Sequence, residues 1–440
     1  MNSRSDQVLY IKYFFPPLGG IAPIGGVKLA KYLLGFEIQP IILTVKPVHY
    51  FAYDFDLLDE LPASVPVYRT ASLDLNRLLY IAKNIKHLAK RNSSVRSVGF
   101  SPSVFNERLK SFIRSCIPID EKIGWLPFSL VKGLEIINKS DAKAIIVSIP
   151  PYHTAITGWI LHKLTSLPLI LEYADLWTLT PYPLHNNPLF RMLEEWAEQT
   201  VLKDAAYLTV TAPTARKKMR RKYPFLKKIP IDVLFYGWDR DDVAHLNFSK
   251  RSGSATGPIR IGYAGTFSGY QTPKYLLEAL DRLLTQKLIR KDEIELHFIG
   301  NFSDEIQKLF KRGSIQEMIQ IHPFMPHKQC LEFLTQMDYV AIFLGGKEKS
   351  KGVIPAKLYD YFAIKVPVIG LCPTGSDLAY LLHKHGFPTA EFDDVKENME
   401  LIMRLLQERP NRVLTDEELL PYERNYIYEK LAIRIKKIIS

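Results

Sequence analysis

The chain predicts an α/β fold of two Rossmann-like domains facing across a cleft, with a C-terminal helix returning to the first domain. Three observations predict it. Short apolar strands that run into glycine turns occur in two series, with helical patterns between them. A polar, Gly/Ser-rich stretch, "NFSKRSGSATGP", separates the two series at 247–258. The length, 440 residues, exceeds what one ordinary core supports. The boundaries read as a first domain over 1–246, a linker over 247–258, a second domain over 259–415 and a terminal segment over 416–440.

The first series opens with "VLYIKYF" (8–14), a buried strand, followed by the turn "PPLGG". "GGVKLAKYLLGF" then reads as a helix ending near Gly35, and "PIILTV" (40–45) as the next strand. "KAIIVSI" (143–149), "PLILEY" (168–173) and "AAYLTVTA" (205–212) are apolar without alternation, the pattern of strands buried on both faces of a parallel sheet. "PLFRMLEEWAEQTVLK" (188–203) is a helix between two of them. In the second series, "IRIGYAG" (259–265) and "IELHFIG" (294–300) are strands ending on glycine, with the helix "PKYLLEALDRLLTQ" (273–286) between them. "YVAIFLGG" (339–346) and "VPVIGLC" (366–372) complete this series, and "YERNYIYEKLAIRIKKIIS" (422–440) is an amphipathic helix. Ligands of open α/β sheets bind beyond the carboxyl ends of the strands. The glycines at 19–20, 265, 300 and 345–346 therefore line the predicted cleft.

Hydrophobic content of 47% and charged content of 24% are those of a globular protein. Cys116, Cys330 and Cys372 are few, odd in number and far apart, which argues against a disulfide framework and a zinc site. No signal-peptide pattern and no apolar run of membrane-spanning length occurs, so the expected location is cytoplasmic. The net charge of +12 favours anionic surfaces. It concentrates in 83–114, with eight basic residues and one acid, and in 216–228, with eight and none. Both stretches fit solvated faces; beside Tyr223, Phe225 and Leu226 they also fit adhesion to an anionic membrane. Nucleic-acid binding is not expected, because no reader motif is present and the charge sits in helical stretches.

Two stretches carry chemistry. Gly19 and Gly20 let backbone approach a ligand, and the helix after them offers free N–H groups to an anion; a tight turn without ligand has the same sequence. G-x-G-x-x-G is absent and strand two ends "ILTVKP" without an acid, which counts against a nicotinamide dehydrogenase. In "GGKEKSKGVIPAKLYDYFAIKVPVIG" (345–370), a helix N-terminus near Val353 and Ile354, with Lys357 one turn in, suits a diphosphate. Asp360 shares the helix face of Lys357 and suits a ribose diol; an intrahelical Lys357–Asp360 pair is the other reading.

Five stretches taken in order resemble glycosyltransferase family 4-like enzymes of the bacterial surface-polysaccharide type, whose fold is called GT-B. They are "YFFPPLGGIAPIGGVKLAKYLLGFEIQPIILT", "SIPPYHTAITGWILHK" with "PLILEYADLWT", "IGYAGTFSGYQTPKYLLEAL", "IHPFMPHKQCLEFLTQMDYVAIFL" and "GVIPAKLYDYFAIKVPVIG". The resemblance spans about residues 10 to 410. It implies a retaining, metal-independent transfer of a sugar from a nucleotide-diphosphate donor, UDP- or GDP-linked, with no other cofactor. The donor lies on the second domain and the acceptor on the first. The family's E-x7-E motif places its ribose-binding position on Asp360 and its sugar-binding position on Gly352, where no carboxylate stands. The turn after "YAG", where the family carries basic residues for the diphosphate, offers Thr266 and Gln271, with Lys274 beyond. The family's cleft histidine corresponds to His153, the polar candidate near the acceptor, and Asp175 and Trp177 fall on its acceptor side. A structural histidine, and a brace with a buried indole, are the competing readings.

The implied activity is hexosyl transfer to a lipid-linked saccharide in capsule, O-antigen or exopolysaccharide assembly, at the inner face of the cell membrane. A non-catalytic relative that binds a partner and a sugar-nucleotide epimerase are the alternatives.

Overall fold

The structure, a computed structural model, describes residues 6–50, 53–74, 77, 80–81, 117–180, 185, 187–246, 257–267, 271–408 and 412–440. The basic stretch 83–114, Cys116 and residues 247–256 of the expected linker lie outside the described residues. The chain forms two compact units, one of residues 1–211, 215–234 and 428–440 and the other of residues 212–214 and 235–427.

The first unit is a seven-stranded sheet. Its strands are β1 (Asp6–Ile11), β2 (Ile38–Val45), β3 (Val67–Thr70), β4 (Ala142–Ile149), β5 (Leu169–Tyr173), β6 (Ala205–Val210) and β7 (Ile231–Val233), in the order β3-β2-β1-β4-β5-β6-β7. Every pairing is parallel; Leu9 faces Ile41 on one side and Ile145 on the other. Val8 to Ile11 are fully buried, as the unbroken apolar run requires. Helix Leu126–Lys139 packs on helix His153–Thr165 against this sheet. The last turns of helix Arg424–Ile439 belong to this unit. Tyr428 packs on Tyr32 with ring centroids 5.7 Å apart, and Arg434 reaches Asp232.

The second unit is a six-stranded parallel sheet. Its strands are β8 (Ile259–Ala264), β9 (Ile294–Ile299), β10 (Ile319–His322), β11 (Tyr339–Phe343), β12 (Val368–Leu371) and β13 (Thr389–Ala390), in the order β10-β9-β8-β11-β12-β13. Helices Lys274–Thr285 and Val395–Gln407 pack on each other over its core, which includes Ile261, Tyr263, Leu280, Phe298, Phe343 and Ile402. The two sheets are the two Rossmann-like layers expected. In each, strand order reverses between the first strand and a later one, β1/β4 and β8/β11, which is where open α/β sheets receive ligands.

Glycine conformation matters at the carboxyl ends of β8 and β9. Gly265 has φ +125° and Gly300 has φ +140°, both closed to ordinary L side chains. A Cβ at Gly300 would stand 2.7 Å from the carbonyl oxygen of Gly265, so the two turns nest on one another only as glycines.

Candidate active site

The second unit gathers a cation, a carboxylate and a histidine at the β8/β11 reversal. β8 stops at Ala264, and the turn at Gly265 frees the Ala264 carbonyl. Helix Lys357–Ala363 docks on that strand end through both backbone groups of one residue. The Ala264 N–H donates to Tyr361 Oη at 3.1 Å, and Lys357 Nζ donates to the Ala264 oxygen at 2.9 Å. Lys357 Nζ also stands 4.0 Å from the ring centroid of Tyr263, which is itself stacked on Phe267 at 4.3 Å. Among the described residues no carboxylate forms an ion pair with this ammonium. Burial pushes it down to about 7, against the upward pull of Cys330 and Asp360. A Cβ at Gly265 would come within 2.9 Å of the same Nζ, so Gly265 holds open the approach to it.

The helix begins at Lys357, and the expectation of an N-terminus near Val353 and Ile354 is corrected accordingly. Pro355 disfavours helical geometry at the residue before it, so the segment through Ile354 stays non-helical. The Val353 N–H is taken by the Ser350 carbonyl at 2.9 Å, and Lys357 is the first residue of the helix rather than one turn in. Gly352 and Val353 are half-buried and Ile354 is buried in this segment.

Asp360 does not turn to Lys357. Its Oδ2 lies 3.2 Å from His327 Nε2, at the first residue of helix His327–Leu334. Burial lowers His327, but Asp360, with Asp242 behind it, outweighs burial and holds the imidazole above its ordinary value. The charged pair stabilises the fold below the unfolded histidine value of about 6.5 and loses that contribution as pH rises through the raised folded value. His327→Gln is therefore expected to lower the melting temperature at about pH 5.5 and to leave it near the parent's at about pH 9, measured by circular dichroism.

Thr266 is exposed, and its carbonyl accepts from Tyr263 Oη at 3.0 Å. Gln271 is half-buried, and Lys274 is exposed with its ammonium 5.3 Å from the ring of Tyr275. In the first unit, Gly19 is buried and Gly20, at φ +101°, immediately precedes helix Ile21–Gly35. No side chain caps that helix and no acid stands in its first turn, which leaves its first amides to other acceptors.

His153 opens the helix that follows β4 and is fully buried. Asp120 grips it twice: the His153 N–H donates to Oδ2 at 2.8 Å, and Nδ1 lies 2.9 Å from Oδ1. Burial pushes the Asp120 carboxyl up, but the pairing with His153 outweighs it and holds the group below the usual carboxylate range. Tyr13 and Trp125 stand edge-on to the imidazole at 6.0 and 5.9 Å. With Nδ1–H donating to Asp120, Nε2 has no hydrogen-bond partner among the described residues. Trp177 is buried and stacked on Tyr152 at 5.2 Å, and Tyr152 Oη donates to the Leu176 carbonyl at 3.1 Å. Asp175, two residues earlier, is exposed.

Sequence reasoning missed His327, Asp120 and Tyr263. The signal for His327 was its place directly after Pro326, at a helix start. No local signal marks Asp120, because its partner is 33 residues away.

Residues 246–418 match the family described as Glycosyl transferases group 1, so the second unit carries a glycosyltransferase domain. No curated protein sequence matches the chain. Solved structures share its fold over nearly the full length. Sucrose-phosphate synthase from Thermosynechococcus elongatus aligns with a TM-score of 0.62 at 12% identity, covering 98% of each chain. An E. coli trehalose-6-phosphate structure bound with UDP-2-fluoro glucose aligns at 0.60 and 12%, covering 99% of each chain. A protein of Listeria monocytogenes assigned as a UDP-N-acetylglucosamine 2-epimerase aligns at 0.52 and 12%, covering 98% of this chain and 96% of its own. At such identity the likeness is one of fold.

Proposed function

We propose that this protein is a retaining, metal-independent glycosyltransferase that moves a sugar from a nucleotide-diphosphate donor to a lipid-linked saccharide in cell-surface polysaccharide assembly. One observation carries the reading. Inside a domain that matches glycosyltransferases, Lys357 and Asp360 project from one helix at the strand-order reversal, the first held at the end of β8 and the second beside His327. Lys357 and the main chain at Gly265 and Thr266 meet the diphosphate, with Lys274 and Gln271 at its margin. Asp360 accepts from the ribose diol. The segment at Gly352, Val353 and Ile354 faces the donor sugar; in the first unit, the free amides of the helix after Gly19 and Gly20 suit an anion. Departure of the nucleotide diphosphate is the demanding step, because charge develops on its phosphate oxygens, and a prearranged ammonium answers it. The leaving phosphate assists deprotonation of the incoming hydroxyl on the same face, so inversion does not occur. His153, Asp175 and Trp177 belong to the acceptor side, His153 with an accepting Nε2. The enzyme works at the cytoplasmic membrane face, held by its basic stretches.

The test is nucleotide binding. UDP or GDP in hundredfold excess over Kd stabilises a binding protein by about 2.7 kcal/mol. One of the two should raise the melting temperature, and Asp360→Ala should reduce that rise. A melting temperature unmoved by either nucleotide at millimolar concentration would sink the donor site. Gly352, standing where a sugar-binding carboxylate would be, favours a second reading as a non-catalytic relative. Transfer from a labelled donor to membrane extracts separates the two, and epimerised donor recovered without acceptor would favour an epimerase.

A further inference from the structure

Helix Pro188–Lys203 of the first unit is turned inside out over its first half, up to Trp196. Its inward face carries two carboxylates: Glu194 bonds His185 Nδ1, and Glu198 accepts from Thr178 Oγ1 and, at 2.8 Å, from Tyr223 Oη. Both are buried beside Ala197, Val201 and Leu202. Its outward face carries Leu189, Met192, Leu193 and Trp196, which are 67%, 65%, 37% and 63% exposed. Their spacing of three, one and three residues makes one continuous apolar stripe, opposite the buried face. A soluble helix ordinarily places such residues inward.

The surroundings of the stripe are basic. Arg191 and Lys203 of the same helix are exposed. Lys222, at the end of the basic helix Pro213–Lys222, donates to Glu195 Oε1 at 2.9 Å, which neutralises the exposed acid nearest the stripe. The turn Pro224–Lys227 packs on the inside-out helix, and Lys217, Arg221, Lys227 and Lys228 are all exposed. A stripe of leucine, methionine and tryptophan flanked by lysine and arginine is the pattern of a helix that lies in a membrane interface. A second copy of this chain would bring like charge against like charge. We infer that the Leu189–Trp196 face is a docking surface that inserts into an anionic lipid bilayer, with the basic residues of 217–228 against the headgroups. The inference deepens the proposed function, and rests on it only for what the membrane carries, a lipid-linked acceptor.

The full chain is incubated with vesicles of phosphatidylethanolamine and phosphatidylglycerol, or of phosphatidylcholine alone, without donor or acceptor. It should sediment with the anionic vesicles and not with the zwitterionic ones, and should be released at high salt. Trp196 is 63% exposed, Trp125, Trp177 and Trp238 are buried and Trp159 is half-buried, so a blue shift of tryptophan emission on binding should come from Trp196. Trp196→Phe should abolish the shift and keep sedimentation. Leu193→Glu with Trp196→Glu should weaken binding about tenfold or more. Unchanged sedimentation of that double variant overturns the inference, as does a loss of self-association in it without any effect on vesicles. Vesicle binding and the nucleotide-induced rise in melting temperature are separate measurements, so either reading can fail while the other stands.

Discussion

Lys357→Met is expected to cut sugar transfer by about 10²–10³-fold in kcat, the loss typical of removing one prearranged stabiliser of transition-state charge. The ammonium is fixed by the Ala264 carbonyl and the face of Tyr263, so it need not reorganise as the diphosphate leaves. Its value of about 7 gives the effect a pH signature. Below that value the free enzyme already carries the charge. Above it, the diphosphate must draw a proton onto the amine, whose pKa rises in the complex. Donor affinity therefore weakens as pH rises from about 7, by up to about tenfold per unit, until the raised value is passed. Isothermal titration with the nucleotide across this range checks it, and Lys357→Met should flatten the profile. An equal pH dependence in parent and variant would assign the effect to another group.

What could be read in advance follows burial. β1, β4, β5, β8, β9 and β11 each carry a run of buried apolar residues, and the sequence marks them within about three residues. β3, β7, β10 and β13 were not marked. They are outer or near-outer strands of two to four residues, too short for any period to register. Lys357 and Asp360 were legible as a pair on one helix, but their partners were not. Lys357 goes to Ala264 and Asp360 to His327, contacts that depend on which strand the helix docks against. Helix Pro188–Lys203 was legible as a helix and not in its orientation. Its sequence offers apolar residues on two faces, Ala197, Val201 and Leu202 on one and Leu189, Met192, Leu193 and Trp196 on the other, and the inward bonds of Glu194 and Glu198 go with the first.

Asp120→Asn is expected to lower transfer by about 10²–10⁴-fold while leaving the nucleotide-induced rise in melting temperature unchanged. The carboxylate accepts from the His153 backbone N–H through Oδ2 and from Nδ1 through Oδ1. An asparagine has one oxygen for these two donors. If that oxygen keeps the backbone N–H, the amide nitrogen faces Nδ1 and donates to it, which moves the imidazole proton to Nε2. The Nε2 lone pair that the proposed function assigns to the acceptor hydroxyl is then gone, although the side chain keeps its shape. The lost charge-assisted bond costs about 1.5–3 kcal/mol of stability, so the variant is compared below its own melting temperature. Asp120→Glu serves as the charge-conserving control and should recover part of the activity. Tyr13 and Trp125, which stand edge-on to the ring, hold its plane in either tautomer, so loss of turnover reports the proton and not the position. If Asp120→Asn turns over like the parent, His153 is a structural residue and the base for the incoming hydroxyl lies wholly on the leaving phosphate.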